Sequence, residues 1–493
     1  MNATSWLALA FSSSLLASDC RPCHPGIVAA FSKTGMGRSL VERPSAVPNT
    51  FYHKISNRLY TFAGGKLKRH QLDAAGHEIN VVEKTVDLAI GSGNHAITYV
   101  NRTPQGRLIE LPVSWYSQAK AYFMSPGYDA PDHPDMRREV GESCLFCHSD
   151  SAQPAPITCR RCHGDATAHL AKPALGNIHN PKRSIEVCLQ CHLETVSQGI
   201  TDSIRRPGRA AFSYQPGEPL TNYKLYFDRA EPPPEARFEV NHAGFRLMQS
   251  ACFQKSAGKL TCVTCHDPHT ARAREACGTC HQSEHTRKNS NGCATCHMPK
   301  RQTQDAIHVS MTDHWIQRQP KFANPAKEDH APYTGAVVPF YSKGDALTLA
   351  VANVRTPSEE SAKLLEAYLR RAPGDVATLV ALGKTLVQLG RPAPAEPRLR
   401  QAISLDPMHS GARVALGVAL ARQGKLREAL TVFETATASN PDDAFAWLNL
   451  AATHQELKQL EKASAAYREA IRLQPDLTAA RAGLAAVMAA AAR

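Results

Sequence analysis

The sequence predicts a multidomain chain: a mostly irregular and helical region packed around prosthetic groups, with a small antiparallel β section, then an all-α repeat solenoid. Three observations predict it. Fourteen of the 15 cysteines fall in seven copies of one pentapeptide, Cys-x-x-Cys-His. The long gap after the first copy carries alternating strand patterns, and the C-terminal third is rich in Ala and Leu and repeats every 34 residues.

The seven copies are Cys20-Cys23-His24, Cys144-Cys147-His148, Cys159-Cys162-His163, Cys188-Cys191-His192, Cys262-Cys265-His266, Cys277-Cys280-His281 and Cys293-Cys296-His297. This pentapeptide attaches a c-type haem. Two thiols three residues apart bond to the vinyl edges of the porphyrin, and the following His supplies the proximal nitrogen to iron. Zinc and disulfides also use Cys-x-x-Cys pairs, but neither requires His next. His is 22 of 493 residues, so chance does not place one after all seven pairs. The expectation is seven covalently attached c-type haems in a haem-packed region over residues 19–317. Cys252 stands apart and reads as a buried free thiol.

The motif starts are 124, 15, 29, 74, 15 and 16 residues apart, which makes two tight clusters. Fifteen residues cannot insulate one haem from the next, so neighbouring haems pack closely. Within the first gap, Ala96–Val100 and Leu108–Leu111 flank Pro104-Gln105-Gly106 and read as a hairpin. Tyr60–Phe62 and Asn80–Val82 add strands, giving a β-rich insert at about 50–115. Residues 318–345 are rich in Pro, Lys and Gly and read as a linker.

Beyond it, Pro373, Pro407, Pro441 and Pro475 recur at the tetratricopeptide period of 34. Leu382-Gly383, Leu416-Gly417 and Leu450-Ala451 fill the small-residue slot of each first helix. Ala395, Ala429 and Ala463 fill that of each second helix, followed by Leu399, Phe433 and Tyr467. Repeats fall at 376–409, 410–443 and 444–477 in a solenoid over 346–493, with an extra helix at Glu359–Arg371 and a cap at Ala479–Ala492. Pro392, Pro394 and Pro397 crowd the first repeat's second helix, which is expected to start late.

Trp6–Ala17 suits a secretory h-region, so residues 1–18 read as a signal sequence cleaved before Cys20, although no Lys or Arg precedes Arg21. No run of about 18 apolar residues exists to span a bilayer in the mature chain. The net charge is +13, and haem propionates offset it. With no dense Lys/Arg run, nucleic-acid binding is excluded. Covalent haem attachment implies a periplasmic or otherwise extracytoplasmic bacterial location.

Fifteen histidines remain for the distal side of iron. His269 lies too close to His266 to wrap around the same macrocycle, and His169 too close to His163, so each is expected to serve a neighbouring haem. The distal candidates are His314, His269, His169, His95, His179, His308 and His53, with His133, His242 and His285 in reserve. His409 and His454 fall in the repeats and read as unrelated to iron.

Cys262-Val263-Thr264-Cys265-His266-Asp267-Pro268-His269, Cys296-His297-Met298-Pro299-Lys300 and Thr312-Asp313-His314 carry a resemblance. Residues 20–315 resemble the multihaem cytochromes c related to pentahaem nitrite reductase, octahaem hydroxylamine oxidoreductase and the tetrahaem cytochrome that takes electrons from the latter. The whole chain resembles bacterial fusions of such a cytochrome to tetratricopeptide repeats. The resemblance implies that His314, in its Asp-His pair, is a distal ligand. Nitrite reductase in that lineage has Lys in place of His at its catalytic haem, whereas all seven motifs here end in His.

The expected function is electron transfer between redox partner proteins, with a protein or peptide partner docked on the repeats. An alternative is an oxidoreductase acting on a small nitrogen or sulfur oxo-compound at one open-site haem, with Arg205-Arg206 or Lys300-Arg301 drawing in the anion. A third reading is a redox sensor or scaffold.

Overall fold

The computed structural model describes residues 20–131, 133, 135–164, 169, 184–193, 202–231, 237–274, 276–281, 292–306, 308–320, 333–341 and 343–491. The expected signal sequence, His179 and His285 lie outside the described residues.

Nine strands form two antiparallel sheets between Leu40 and Met124, a wider β section than the expected 50–115. They are β1 (Leu40–Glu42), β2 (Asn49–His53), β3 (Arg58–Ala63), β4 (Lys66–Leu72), β5 (Glu78–Thr85), β6 (Leu88–Ile90), β7 (Ala96–Arg102), β8 (Leu108–Tyr116) and β9 (Ala121–Met124). One sheet is the meander β2-β3-β4-β5 and the other runs β1-β6-β7-β8-β9. The β7–β8 turn closes where it was expected. Gly106 takes φ +83°, and the Thr103 and Arg107 backbones bond across it at 2.8 Å. Inward aromatics fill the interior, with Phe62 stacked on Tyr122 at 4.6 Å and against Tyr99 at 5.1 Å.

The expected linker is not wholly irregular. Val337–Pro339 pairs with Lys224–Arg229, and buried Val337 packs beside Phe227 and Ala352. The alternation of this short strand is too brief to read without its partner.

The C-terminal helices are α1 (Ala346–Ala352), α2 (Glu359–Arg371), α3 (Val376–Gln388), α4 (Pro392–Leu405), α5 (Ser410–Arg422), α6 (Leu426–Ser439), α7 (Ala444–Glu456), α8 (Leu460–Leu473) and α9 (Thr478–Ala491). Asp375, His409 and Asp443, spaced by the repeat, cap the N-termini of α3, α5 and α7 with their side chains. His409 therefore has a structural task, and His454 bonds Gln459 at 2.7 Å. The small residues permit close helix approach. A Cβ on Gly383 would meet Leu399 at 2.5 Å, and one on Gly417 would meet Phe433 at 2.5 Å. Contrary to expectation, α4 starts at Pro392 with Pro397 inside it. The first four N–H groups of a helix have no internal partner, so Pro392 and Pro394 cost none, and the helix tolerates one bond lost at Pro397.

The β section and the solenoid share one apolar cluster. Polar contacts lock them together. Arg69 donates to the C-terminal carbonyls of α8, Leu473 O at 2.6 Å and Arg472 O at 3.2 Å. Arg472 donates to Val81 O at 2.6 Å, Arg58 pairs with Asp476 at 2.9 Å, and Lys84 pairs with Asp442. Behind this contact, Arg69 and Arg58 face buried Asp135 at 2.7 and 3.8 Å. Burial pushes the Asp135 carboxyl up, but the two guanidiniums outweigh it and hold it below the usual carboxylate range. Burial holds the neighbouring His133 down at about 3.

Gly417→Val forces its side chain into the Phe433 ring and is expected to cost about 1–3 kcal/mol in urea denaturation. Gly374→Ala, whose Cβ meets only Leu405 at 4.0 Å, is expected to be near neutral. His133 gives a pH signature. Below about pH 6.5 the unfolded ring takes a proton that the folded ring refuses, so stability falls as pH falls. Urea midpoints measured between about pH 7 and 4 are expected to drop less steeply in His133→Gln than in the parent chain.

Candidate functional site

The cysteine pair of each motif spans about one helical turn, and in the fifth motif His266 is already extended and begins a short strand. The turns are helical at Glu142–His148, Arg160–His163, Ser184–His192, Cys262–Cys265 and Cys293–His297, and 3₁₀ at Cys277–Thr279. In the first, third and sixth motifs the His N–H returns to the first Cys carbonyl at 2.8, 2.9 and 3.0 Å. None of the 15 cysteines is joined to another in a disulfide. Among the described residues, no three His, Cys, Asp or Glu side chains are grouped to hold a metal ion.

The motifs cluster. Cys20 lies beside Cys159, Cys162 beside Cys191, and Cys188 shares a hydrogen bond with Cys262. Cys147 Sγ sits 3.9 Å from Cys191 O, and Cys191 Sγ 3.9 Å from Phe146 O. Motifs one, three, four and five thus follow each other in space, with the second beside the fourth. Burial, then the neighbouring thiol, pushes Cys159 up to about 11 and Cys162 up to about 12. The Cys262 hydrogen bond, then burial, raises Cys188.

Among the described residues, three motif histidines face a histidine from outside the motifs. His24 faces His169 with ring centres 6.2 Å apart and planes within 17°. His163 faces His269 at 5.9 Å and 11°, and His266 faces His314 at 6.1 Å and 28°. A fourth pair, His53 and His133, involves no motif and is edge-on at 63°.

His314 is held by a network. Its Nδ1 donates to Thr312 O at 3.0 Å, which leaves Nε2 for a ligand. Asp313 beside it takes a two-pronged grip from buried Arg246, at 2.9 and 2.6 Å, and a third bond from Arg301 at 2.9 Å. Burial raises the Asp313 carboxyl, but Arg246 and Arg301 overcome this and keep it below the usual range. His297 likewise donates from Nδ1 to Gln317 O at 2.7 Å. Burial lowers His148 to about 4 and also lowers His192 and His314, which favours neutral imidazole.

The other distal candidates stand elsewhere. His53 has both ring nitrogens engaged, Nδ1 with Ser56 at 2.7 Å and Nε2 with Asp129 at 2.8 Å. His308 stacks on Phe123 at 3.6 Å in the β section. His95 lies at a turn, with Nδ1 3.3 Å from Gln118 Nε2 and its pKa lowered by burial and then by Lys300. Of the reserves, His133 sits against Arg58 and His242 against Glu239, at 2.8 and 3.0 Å. Arg205 and Arg301, expected to draw an anion, are paired with Glu142 and Asp313 at 3.3 and 2.9 Å. Cys252 is half-buried. Arg246 is the positioning residue that sequence reading missed. It stands 67 residues from Asp313, and no local pattern marks it.

Tetratricopeptide repeat family models match residues 392–453 and 444–477. The solenoid is thus built of tetratricopeptide repeats, a fold that docks peptides or proteins. Similar solved structures include MamA, at 25% identity over 27% of this chain and 77% of that chain, with a TM-score of 0.26. YrrB, described as a TPR protein with an unusual peptide-binding site, is 31% identical over 27% and 72%, with a TM-score of 0.26. The first TPR of Spaghetti (RPAP3), bound to the HSP90 peptide SRMEEVD, is 22% identical over 24% and 94%, with a TM-score of 0.24. No curated protein matches the chain. Among the described residues, no helix is long and apolar enough to cross a membrane.

Arg246→Leu strands the buried Asp313 carboxylate on Arg301 alone. The expected loss is about 3–5 kcal/mol in urea denaturation, with partial recovery when Asp313→Asn is added.

Proposed function

We propose that the chain is an extracytoplasmic, multihaem c-type cytochrome of the nitrite reductase and hydroxylamine oxidoreductase lineage. It passes electrons between redox partner proteins and docks a protein or peptide on its tetratricopeptide repeats. The observation that carries this reading is the set of three facing imidazole pairs, each joining a motif His to a His outside the motifs. Two imidazoles on opposite faces of one metal, each nitrogen at about 2 Å, put their ring centres about 6 Å apart. Offset aromatic stacking allows the same distance. It does not account for why the three near-parallel His pairs each take one member from a motif.

A second observation fits prosthetic groups in this region. From Ala251 to Gln302, across the last three motifs, none of the described residues is buried. Such a segment has no side-chain core of its own.

The thiols of the seven motifs would hold the haems, and His24, His148, His163, His192, His266, His281 and His297 would be proximal. His169, His269 and His314 are the distal ligands that geometry favours. Each bound haem supplies a one-electron iron couple whose potential follows its axial ligands, burial and hydrogen bonds. The protein's own part is to orient these imidazoles. Thr312 O fixes the His314 tautomer, and Arg246 with Arg301 pins the adjoining Asp313. One member of each expected anion-drawing pair, Arg205 and Arg301, already faces a carboxylate, which supports electron transfer over the oxidoreductase reading.

A pyridine haemochrome assay on purified holoprotein is expected to return seven haems per chain. Low-temperature EPR is expected to show low-spin ferric haem unaffected by nitrite, hydroxylamine or sulfite. His169→Ala, His269→Ala and His314→Ala are each expected to convert one haem equivalent to high spin. A lower haem count would overturn the attachment reading. Variants without a spin change would overturn the pairing.

A further inference from the structure

We propose that a small cavity beside the β section binds a methylated ammonium cation of about trimethylammonium size. This goes beyond electron transfer and stands apart from haem attachment.

The cavity has a volume of about 50 Å³ and forms where β2, β8, β9 and the loop after β9 meet the segment carrying Ala306 and His308. At roughly 10–15 Å³ for each water-sized group, it has room for about four heavy atoms. Its walls are rings. Phe123 and His308 stack at 3.6 Å and 18° as one slab. Tyr116 stands at 69° to both, 5.9 Å from Phe123 and 5.2 Å from His308. Phe51 stands at 68° to Phe123, 6.4 Å away. Rings set steeply around one space form a box, and each ring face carries the negative part of its quadrupole. Such a surface attracts a cation, and N-methyl groups fill it without asking for hydrogen bonds.

A carboxylate sets the sign of the charge. Asp129 lines the cavity, and among the described residues no Lys or Arg joins it there. Its Oδ1 lies 2.8 Å from His53 Nε2, and His53 Nδ1 lies 2.7 Å from Ser56 Oγ. A neutral His53 satisfies both contacts, donating to Asp129 and accepting from Ser56, so the carboxylate keeps its charge. Asp129 Oδ2 has no hydrogen bond or ion pair among the described residues. Burial lowers His308 against the raising effect of Asp129, so this ring is neutral near pH 7 and does not repel a cation. The Asp129 side chain is 33% exposed, which leaves a way in from solvent. A trimethylammonium ion answers each feature. Its methyl groups meet the rings, and its single N–H points a charged donor at Oδ2.

The test is isothermal titration calorimetry on full-length holoprotein, with trimethylammonium chloride as ligand and sodium chloride as blank. Saturable binding is expected. Tetramethylammonium, which lacks the N–H, is expected to bind at least about tenfold more weakly. The uncharged tert-butanol, of similar shape, is expected not to bind. Asp129→Asn keeps an acceptor for His53 and removes the charge, and is expected to lose at least about tenfold in affinity. Phe51→Leu, at a half-buried position of β2, is expected to weaken binding about threefold. Circular dichroism reports whether the variants keep their fold. If either unfolds, the ranking of the three ligands on the parent chain decides. No saturable heat with trimethylammonium overturns the inference. Equal binding of tert-butanol overturns recognition of charge, and equal binding of tetramethylammonium overturns the role of Oδ2. Full binding by both folded variants overturns the location. The haem count and spin state are read separately, so each of these failures leaves the electron-transfer reading standing.

Discussion

The arrangement of the chain depends on Arg69. Its guanidinium reaches Asp135, the Asn80 carbonyl within the sheet and the last carbonyls of α8 in the solenoid. A buried guanidinium is costly unless its donors are satisfied. The observed placement of sheet on solenoid gives the Arg69 NH groups these carbonyl partners, and Arg58 repeats the logic by joining Asp135 and His133 to Asp476. The apolar cluster shared by β section and repeats supplies attraction without direction. The buried charges supply the register. From there the order propagates. Leu40, Leu88, Val100 and Leu108 of the second sheet pack against Val140 and Leu145, and Leu145 belongs to the second motif helix. The β section is thus one route by which the repeats are held relative to the motif turns; the cluster of Phe227, Val337 and Ala352 is another.

The two ends of the chain make their interiors in opposite ways. In the repeats, Gly383 and Gly417 let helices close until Leu399 and Phe433 fill the gap, and side chains alone complete the core. Across the last three motifs no described residue is buried. Under the proposed function, folding there is coupled to cofactor attachment, as in small metal-dependent domains whose core is incomplete without the bound group. The solenoid and β section carry their own stability and give that segment a frame to assemble against.

What was legible in the sequence was local or periodic. Cys-x-x-Cys-His is one turn, a 34-residue period is one helix pair, and Pro104-Gln105-Gly106 is one hairpin. None needs knowledge of a distant partner. What escaped was long-range. Arg246 bonds a carboxylate 67 residues away, and Arg69 bonds carbonyls about 400 residues away. The outer strands β1, β2 and β9 are short, and the periodicity of three to five residues does not distinguish a strand from a loop. Pro397 misled because propensity is a weak prior. Buried Ala395 and Leu399, packed against α3, outweigh one missing hydrogen bond.

The candidate distal histidines divide on the same principle. His53 and His308 were attractive as residues, yet His53 lies in the β section and His308 packs against it, where Ser56, Asp129 and Phe123 already engage them. His169, His269 and His314 were named for chain geometry or resemblance, and each stands opposite a motif His that is remote in sequence. A short tether cannot bring a histidine round to the far face of its own site, so the second imidazole must be borrowed from another segment. Borrowing has a structural consequence. A metal held between such a pair closes a long loop, and closing a long loop removes more freedom from the unfolded chain than closing a short one. Under the proposed function, His24 with His169, His163 with His269 and His266 with His314 would form an overlapping series of such closures. They would tie the region together segment to segment, through pairs whose partners the local motif alone does not reveal.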